Sequence, residues 1–267
     1  MKKFRSKHYH ISTDKIKGKS VVKFAVLSDL HGIVFGNDNE ELLRSIADEK
    51  PDVILIAGDM VCSSNVESLT PAEEFLAKLP DRYPVLYALG NHEYRMLQEP
   101  LSSMEYTRYE RTLTNAGICF LHNEHVCLRI RDNDFVFYGL EIPLEYYRKP
   151  VAPHLGIRDV DGLLGHPARE GVRVLLAHNP VYGRTYFSWG ADFIFSGHNH
   201  GGVIRFSENC GLISPQFHLL PSFCCGHFQR GKKHMIVSAG LGEHTVPVRI
   251  HNPRELVFVE LTSADNG

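Results

Sequence analysis

The sequence lacks the features that mark several classes of protein. No apolar run in its 267 residues approaches the roughly 20 residues that a membrane-spanning helix needs. Its six cysteines include no Cys-x-x-Cys pair, which excludes the common zinc-finger and thioredoxin patterns. Internal repeats and low-complexity tracts are also missing. We therefore expect a globular protein whose cysteines are reduced and mostly structural.

A strong net charge is missing as well, because the formal charge is −2 with histidine neutral. Proteins that hold a long nucleic acid normally present a positively charged track, so we expect no such partner. Residues 1–20 are an exception, and we predict them to be a basic N-terminal arm, mostly loop with a short strand at Tyr9–Ile11. Short basic runs are usually solvated, but this arm is our candidate for peripheral membrane contact. We predict a single domain over residues 21–267 in a soluble, cytoplasmic protein.

Predicted strands and helices alternate in the first half of the chain. Val21–Leu27, Val53–Ala57 and Val85–Leu89 are short apolar runs, as expected of buried strands. Glu40–Glu49 has the apolar spacing of a helix. This alternation predicts parallel strands joined by helices, which places the protein in the α/β class. The carboxyl ends of such strands lie at one edge of a sheet, where α/β proteins place their sites.

Capping patterns and composition predict the elements that follow. Thr70-Pro71-Ala72-Glu73 is a capping box that predicts a helix over residues 71–79, and a second box opens at Ser102. Three closely spaced apolar segments between residues 118 and 140 predict antiparallel strands. The proline-rich segment 141–170 is predicted to be a long surface loop or cap, and loops of this kind are often lids over a site.

Metal-binding residue types follow five of the predicted strands directly. These residues are Asp29 and His31, Asp59, Asn91 and His92, His178, and the pair His198 and His200. Buried strands do not need to end in carboxylates or imidazoles, so five unrelated polar turns are the weaker explanation. The set has no thiolate at a matching position. Mixed oxygen and nitrogen ligands favour Mn²⁺, Fe or Zn²⁺.

Seven ligands are too many for one ion that must keep a position open for water. They suit two ions about 3.5–4 Å apart that share a bridging carboxylate and can activate water for attack on a phosphate ester. The residues therefore predict metal-assisted hydrolysis of an anionic ester. His92 has no metal left to bind, so it would donate a proton to the leaving group or stabilise charge in the transition state.

Five blocks of this sequence resemble, in order, those of the calcineurin-like metallophosphoesterase family: Asp29-Leu30-His31, Gly58-Asp59, Gly90-Asn91-His92-Glu93, His178 and Gly197-His198-Asn199-His200. The resemblance spans about residues 23–261. It implies a four-layer α/β/β/α sandwich of two mixed sheets flanked by helices. It implies one metal ion held by Asp29, His31, Asp59 and His200, and a second held by Asp59, Asn91, His178 and His198. His92 matches the leaving-group histidine of the family.

The C-terminal part resembles the bacterial YkuE-like subgroup through Gly201-Gly202 and through Gly240-Leu241-Gly242 followed by Pro247-Val248-Arg249. Members of that subgroup are often membrane-anchored, and some act on lipid-linked or nucleotide-sugar phosphates. The resemblance therefore implies a small phosphorylated substrate that is lipid- or nucleotide-linked. The chain departs from the subgroup because it shows no hydrophobic or twin-arginine leader, and because Val203 stands where glutamine is common.

Several other residues have less specific roles in this prediction. We expect Glu93 to orient a neighbour in the site rather than to bind metal. Arg249 could bind phosphate, although a surface ion pair explains it equally well. Among the histidines of the C-terminal third, His244 is the one expected near the substrate.

The predicted function is dinuclear metal-dependent hydrolysis of a phosphomonoester or phosphodiester. One alternative is a nuclease or cyclic-nucleotide diesterase, against which the near-neutral charge argues. Another is a metal-binding scaffold without catalysis. Scaffolds of this kind usually lose ligands, whereas all eight positions are filled in this chain.

Overall fold

Two six-stranded sheets stack face to face in the computed structural model. The structure describes residues 2–19, 21–149, 151–202, 204–207, 209–212, 219, 221–243 and 248–264, so that Val203, His244 and Pro247 lie outside it. The strands are β1 (Phe4–Thr13), β2 (Val22–Leu27), β3 (Val53–Ala57), β4 (Val85–Ala88), β5 (Ile118–Phe120), β6 (His125–Ile130), β7 (Asn133–Leu140), β8 (Val172–Ala177), β9 (Phe193–Ser196), β10 (Arg205–Ser207), β11 (Cys210–Gly211), β12 (Gly226–Arg230), β13 (Lys233–Val237) and β14 (Arg254–Ser263). The helices are α1 (Glu40–Glu49), α2 (Leu69–Leu76), α3 (Asn91–Gln98), α4 (Ser103–Asn115), α5 (Ile157–Leu164) and α6 (Gly183–Trp189), with 3₁₀ turns at Val66–Ser68, Leu144–Tyr147 and Pro180–Tyr182.

Both sheets are mixed. The first sheet has the order β1-β14-β2-β3-β4-β5, and β2 to β5 are parallel while β14 runs antiparallel to β2. The second has the order β12-β13-β9-β8-β7-β6, with four parallel central strands and an antiparallel strand at each edge. The parallel strands therefore direct several carboxyl ends toward one edge.

The main apolar core lies between the two sheets. Phe24 on β2 meets Phe135, Phe137 and Phe195 of the second sheet edge-on, with ring centroids 5.6–6.1 Å apart. Helices α1 to α4 cover the other face of the first sheet, and α5 and α6 cover the other face of the second. Because these strands are buried on both faces, they appear in the sequence as continuous apolar runs. The predicted four-layer α/β/β/α sandwich is confirmed.

The first residues of the helices were predicted less accurately than the positions of the strands. Helix α1 has the predicted bounds, but α2 begins at Leu69 because a 3₁₀ turn runs directly into it, so the capping box at Thr70 is wrong. The Ser102 hydroxyl does not cap α4 and donates instead to the Met96 carbonyl. Helix α3 was missed. It starts where the Gly90 N–H donates to the Glu93 carboxylate at 3.0 Å.

The connection after α4 crosses from one sheet to the other. Strand β5 pairs parallel with β4 in the first sheet, whereas β6 and β7 form an antiparallel hairpin in the second. The prediction of three consecutive antiparallel strands is therefore wrong for β5. Short polar spacers look alike in a hairpin and in a sheet-to-sheet crossing, because local sequence does not show which sheet a strand joins.

Most of the predicted N-terminal loop is the edge strand β1. It pairs with β14 over ten residues in parallel register. Its basic side chains meet acids of that strand, as in Arg5–Glu255 at 2.6 Å and His10–Glu260 at 2.8 Å. The prediction of loop is wrong here because the partner strand lies at the other end of the chain. Within the described parts of the chain, no helix is both long and apolar enough to span a bilayer.

His122 pairs with two carboxylates and so connects the ends of both sheets to α4. His122, after β5, lies 2.9 Å from Glu110 on α4 through Nε2 and 2.7 Å from Glu141 after β7 through Nδ1. Both ring nitrogens face carboxylates, so the ring is held as an imidazolium. The hydrogen bonds to Glu110 and Glu141 raise the pKa of His122 to about 10.

We expect His122→Asn to destabilise the protein more at pH 6 than at pH 10. The folded-state pKa is raised, so the stabilisation is complete below the ordinary histidine value of about 6.5 and is lost as the pH rises through about 10. The side chain is one-third exposed, so we expect a melting-temperature difference of only roughly 2–4 °C at pH 6. Thermal melts at both pH values measure it. An equal difference at both would show that the charge of His122 contributes nothing.

Candidate metal centre

The predicted strand-end residues converge at one edge of the two sheets. His178 Nε2, after β8, lies 2.9 Å from Asp59 Oδ2 and 3.9 Å from Asp29 Oδ1, so it contacts carboxylates that follow β3 and β2. His200 Nε2 lies 3.4 Å from Asp29 Oδ1 and 3.2 Å from His31 Nε2. Two groups with metal-ligand spacing result, and they adjoin through His178. They are Asp29, His31 and His200, and Asp59, His178 and His198.

Strained backbone presents most of these side chains. Five of them have positive φ angles between 48° and 65°, a region that non-glycine residues rarely adopt; they are Asp29, His31, Asp59, His198 and His200. Each such conformation costs on the order of 1–3 kcal/mol and persists only where the surroundings enforce it. The concentration of strain at one point marks this edge as a functional site.

A glycine allows the two sheets to approach each other at the site. Gly58 has φ of +86°, and a Cβ atom there would lie 2.5 Å from the Gly90 nitrogen and 2.8 Å from His178 Nδ1. A side chain at position 58 would therefore push β3 away from the loops that carry Asn91 and His178. The glycine of the Gly-Asp pair is thus needed for both its conformation and its small size.

Buried Glu93 holds the loop that carries Asp59. Its carboxylate accepts hydrogen bonds from the N–H groups of Asp59 at 2.9 Å and Met60 at 2.6 Å. The Tyr87 hydroxyl donates a further bond at 2.7 Å. Glu93 therefore orients Asp59 through the backbone, as the sequence predicted, and its oxygens are occupied by donors.

Two histidines have their tautomer set by backbone carbonyls. His178 Nδ1 lies 2.7 Å from the Ala57 carbonyl, and His31 Nδ1 lies 3.2 Å from the Val61 carbonyl. A carbonyl oxygen only accepts, so each Nδ1 carries a proton and the lone pair of the neutral ring is on Nε2. Both Nε2 atoms face the centre, which is the arrangement of metal-binding histidines.

The buried charges influence one another strongly. Burial alone opposes ionisation of Asp59, but His178 and His92 outweigh it and hold the pKa of this carboxyl well below its usual value. Burial raises the pKa of Asp29, and the negative Asp59 nearby adds to that effect. Burial lowers the pKa of His178, but the two aspartates raise it to about 10 overall. The centre thus gathers two carboxylates that need a cation beside them.

Two buried oxygens support the fit of a metal ion. Asp29 Oδ2 and Asn91 Oδ1 are enclosed and have no hydrogen-bond partner among the described residues. A buried acceptor without a partner costs about 1–3 kcal/mol, so a ligand that satisfies it is expected. Carboxylate, amide and imidazole groups together suit Mn²⁺, Fe or Zn²⁺. The residues present therefore fit the predicted metal ions.

His92 stands beside the carboxylates at the start of α3. The Ser63 N–H donates to His92 Nδ1 at 2.9 Å, so the neutral ring carries its proton on Nε2. Burial lowers the pKa of His92, but Asp59 and Cys62 raise it to about 9 overall. In either protonation state Nε2 holds a proton. It lies 4.0 Å from Asp59 Oδ2, on a side chain that is 28% exposed.

Two residues at the site were missed by the sequence analysis. Cys62 has its sulfur grouped with ligand atoms of His31 and His92, all within 4.8 Å of one another. The sequence analysis considered only thiolates at the strand ends, so it did not consider Cys62, although its position three residues after Asp59 was an available signal. Tyr147 lies in a 3₁₀ turn of segment 141–170, with its ring 5.1 Å from that of His198. No pattern in the sequence indicated this contact.

Arg249 is hydrogen-bonded to the backbone of the loop that carries His200. Its guanidinium donates to the carbonyls of Ala239 at 2.9 Å and Gly242 at 2.6 Å, and to that of His200 at 3.4 Å. The explanation as a surface ion pair is therefore wrong, because this arginine is mostly buried and bonds to backbone. Burial lowers the pKa of Arg249 to about 10. It fixes the position of His200 relative to the Gly240–Gly242 turn.

A sandwich with carboxylates and imidazoles gathered at one sheet edge is the architecture of a metal-dependent hydrolase. The family model described as calcineurin-like phosphoesterase matches residues 22–202, which is more than half of the chain. The chain belongs to this family, and it is a hydrolase that acts on phosphate esters.

Relatives align over most of their length. The chain is 27% identical to an uncharacterised metallophosphoesterase of Aquifex aeolicus, covering 98% of this chain and 93% of that one. It is 24% identical to the metallophosphoesterase YkuE of Bacillus subtilis, covering 93% and 80%. It is also 24% identical to the UDP-2,3-diacylglucosamine pyrophosphatase LpxG of Chlamydia muridarum, covering 89% and 83%. The resemblance to YkuE is thus confirmed.

Solved structures support the fold. A putative 5′-nucleotidase from Staphylococcus aureus superposes with a TM-score of 0.53 at 14% sequence identity. The match covers 84% of this chain and 49% of that protein, so the present chain corresponds to about half of it.

Proposed function

We propose that this chain is a dinuclear metal-dependent phosphoesterase. In this proposal one ion is held by Asp29, His31, Asp59 and His200, and the other by Asp59, Asn91, His178 and His198. The observation that carries the proposal is the contact of His178 Nε2 with oxygens of both aspartates, which joins two ligand groups into one centre. When bound, two such ions supply an activated water and neutralise the charge of a phosphate.

The side chains at the centre have complementary tasks. Asp59 contacts His178, which links the two groups, and we propose that both ions share its carboxylate. Imidazoles are neutral when they bind metal, so only two carboxylates balance two divalent ions. The loaded centre therefore has excess positive charge, which attracts an anionic ester.

His92 is proposed to act on the leaving group. Its Nε2–H is available in both protonation states, and its partly exposed ring adjoins Asp59. A proton delivered to the departing oxygen would prevent build-up of negative charge there. General acids of this kind contribute about 10²–10⁴-fold to the rate.

We infer a phosphodiester or pyrophosphate substrate with a lipid or nucleotide substituent. The relative LpxG is named as a pyrophosphatase of UDP-2,3-diacylglucosamine, which is a nucleotide-linked and acylated pyrophosphate. This name supports the inference. Exposed apolar side chains also flank the His200 loop. Val248 and Ile250, each 43% exposed, stand on either side of Arg249, and Phe206 is 64% exposed. They offer a surface for an apolar substituent.

We infer a cytoplasmic location, supported by the reduced thiols of Cys62, Cys119 and Cys127. The pairing of Arg5 and His10 with acids of β14 favours a structural role for the basic arm over membrane contact.

Metal removal tests the proposed function. Stripping the protein of metal is expected to abolish hydrolysis of p-nitrophenyl phosphate and bis-p-nitrophenyl phosphate, and Mn²⁺, Fe²⁺ or Zn²⁺ should restore it at two ions per chain. The proposed substrate class predicts faster turnover of the diester. Turnover that survives complete metal removal would contradict the proposal, as would saturation at one ion. A preference for the monoester would contradict only the inferred substrate.

A further inference from the structure

Tyr147 is a side chain that segment 141–170 places directly at the candidate metal centre. Its ring lies 5.1 Å from that of His198, which it meets edge-on, and 6.4 Å from that of His178. Both imidazoles belong to the ligand set proposed for the second ion. Neither the proposed ligand sets nor proton transfer to the leaving group uses this tyrosine. Its position therefore calls for a further role in the site.

Hydrogen bonds hold the backbone next to Tyr147 in place. The carbonyl of Tyr146 accepts the Tyr182 hydroxyl at 2.9 Å and Asn179 Nδ2 at 3.4 Å. Both donors follow β8, in the loop that also carries a proposed metal ligand. On its other side, the 3₁₀ turn that ends at Tyr147 lies next to α3. The turn is thus anchored to loops from both sheets, and a side chain on such a support keeps a fixed orientation.

The hydroxyl of Tyr147 is available to a ligand. Within the described part of the chain it makes no hydrogen bond, and it is not among the enclosed polar atoms, because the side chain is only partly buried. Partial burial raises the pKa of Tyr147 well above its ordinary value, and nearby Tyr186 and Asp59 add to this effect. The hydroxyl therefore keeps its proton at neutral pH and can donate a hydrogen bond.

A phosphate group at the centre requires hydrogen-bond donors as well as metal ions. The proposed ligand side chains offer lone pairs to metal, and the proton of His92 is assigned to the leaving oxygen. The non-bridging oxygens of the phosphate are left for other donors. A phenol is neutral, so it does not repel cations beside it, and its hydrogen bond to an anionic oxygen is stronger than one between neutral groups. Tyr147, beside His198, is placed for this task.

We propose that the Tyr147 hydroxyl donates a hydrogen bond to a non-bridging oxygen of the substrate phosphate, on the side of the centre formed by His178 and His198. This proposal rests on the proposed function, because it requires the phosphate to bind at that centre. It makes the 3₁₀ turn at Leu144–Tyr147 a part of the substrate site. A donor fixed in this way stabilises both the bound substrate and the transition state.

Removal of the hydroxyl tests the proposal. Tyr147→Phe, as the full-length chain loaded with metal, is compared with the wild type for inhibition by inorganic phosphate and for hydrolysis of bis-p-nitrophenyl phosphate. The inhibition constant of phosphate should rise at least about tenfold, and kcat/KM should fall about 10–100-fold. Metal content should stay at two ions per chain, and the dependence of rate on leaving-group pKa should not change.

Tyr83→Phe is the matched control. Tyr83 is a partly buried tyrosine that directly precedes Pro84 and β4, at the end of this strand opposite the candidate metal centre. It should bind phosphate and hydrolyse the diester as the wild type does.

The outcomes separate this proposal from the proposed function. A Tyr147→Phe enzyme with two ions and wild-type affinity for phosphate would overturn the hydrogen bond and leave the dinuclear centre intact. Loss of an ion together with loss of affinity would also overturn it, because the hydroxyl would then act on the metal site. Wild-type turnover without metal would overturn the proposed function and this proposal with it.

If Tyr147→Phe does not fold, a crystal structure of the wild-type, metal-loaded protein with inorganic phosphate decides. The hydroxyl oxygen is expected about 2.5–3.0 Å from a phosphate oxygen, and a separation beyond about 3.5 Å would refute the proposal.

Discussion

Replacing Asp59 with asparagine is expected to lower kcat/KM at least about a thousandfold, which corresponds to roughly 4 kcal/mol of transition-state stabilisation. The carboxylate lies 4.0 Å from His92 and 2.9 Å from His178, which in turn lies 3.9 Å from Asp29 of the other ligand group. Asparagine keeps the oxygen that accepts the His92 N–H at 2.9 Å, so the fold of the loop is preserved. It removes the negative charge that two ions would share. Metal content should fall below two ions per chain.

Kinetics with bis-p-nitrophenyl phosphate and metal analysis on the same samples measure this prediction. Asp132→Asn is the matched control, since Asp132 is exposed at the turn between β6 and β7 and contributes to neither ligand group. Its activity and metal content should equal those of the wild type. An Asp59→Asn enzyme that keeps two ions and loses less than about tenfold in rate would show that Asp59 is not a shared ligand.

Replacing His92 with alanine is expected to slow hydrolysis in a manner that depends on the leaving group. A general acid contributes about 10²–10⁴-fold when the departing oxygen is basic. An alkyl phosphate ester should therefore lose rate in that range, whereas a p-nitrophenyl ester, whose leaving group needs little protonation, should lose much less. Metal content should stay at two ions per chain, because the proposed ligand sets do not include His92.

The dependence of log kcat on leaving-group pKa measures this effect, and the slope should be steeper for His92→Ala than for the wild type. His10→Ala is the control, because His10 is 70% exposed on the edge strand β1 and pairs only with Glu260 among the described contacts. Equal losses for both kinds of ester would contradict proton donation and assign His92 to charge stabilisation instead.

The strands and the site residues that follow them could be predicted from the sequence where the local chemistry is unambiguous. Buried strands such as Val53–Ala57 must be apolar on both faces. Polar residues directly after such strands are not needed for the core, so they indicate a site. The gathering of Asp29, Asp59 and His178 followed from the rule that parallel strands share an edge, and the structure places His178 Nε2 within 4 Å of both carboxylates. Local sequence is sufficient for this because a candidate ligand directly follows each strand.

Tertiary structure alone decided the features whose partners are distant in the chain. β1 is a strand because it pairs with β14. Arg249 holds the loop of His200 in place because its guanidinium donates to carbonyls of the turn after β13. Cys62 lies close to His31 because the loops that carry them pack together. Periodicity reports which face of an element is buried, but not which other element covers it. Local sequence was enough to predict that residues of metal-binding type follow the strands. Packing decided which further side chains meet them, since contacts between distant segments arise only when the two sheets close on each other.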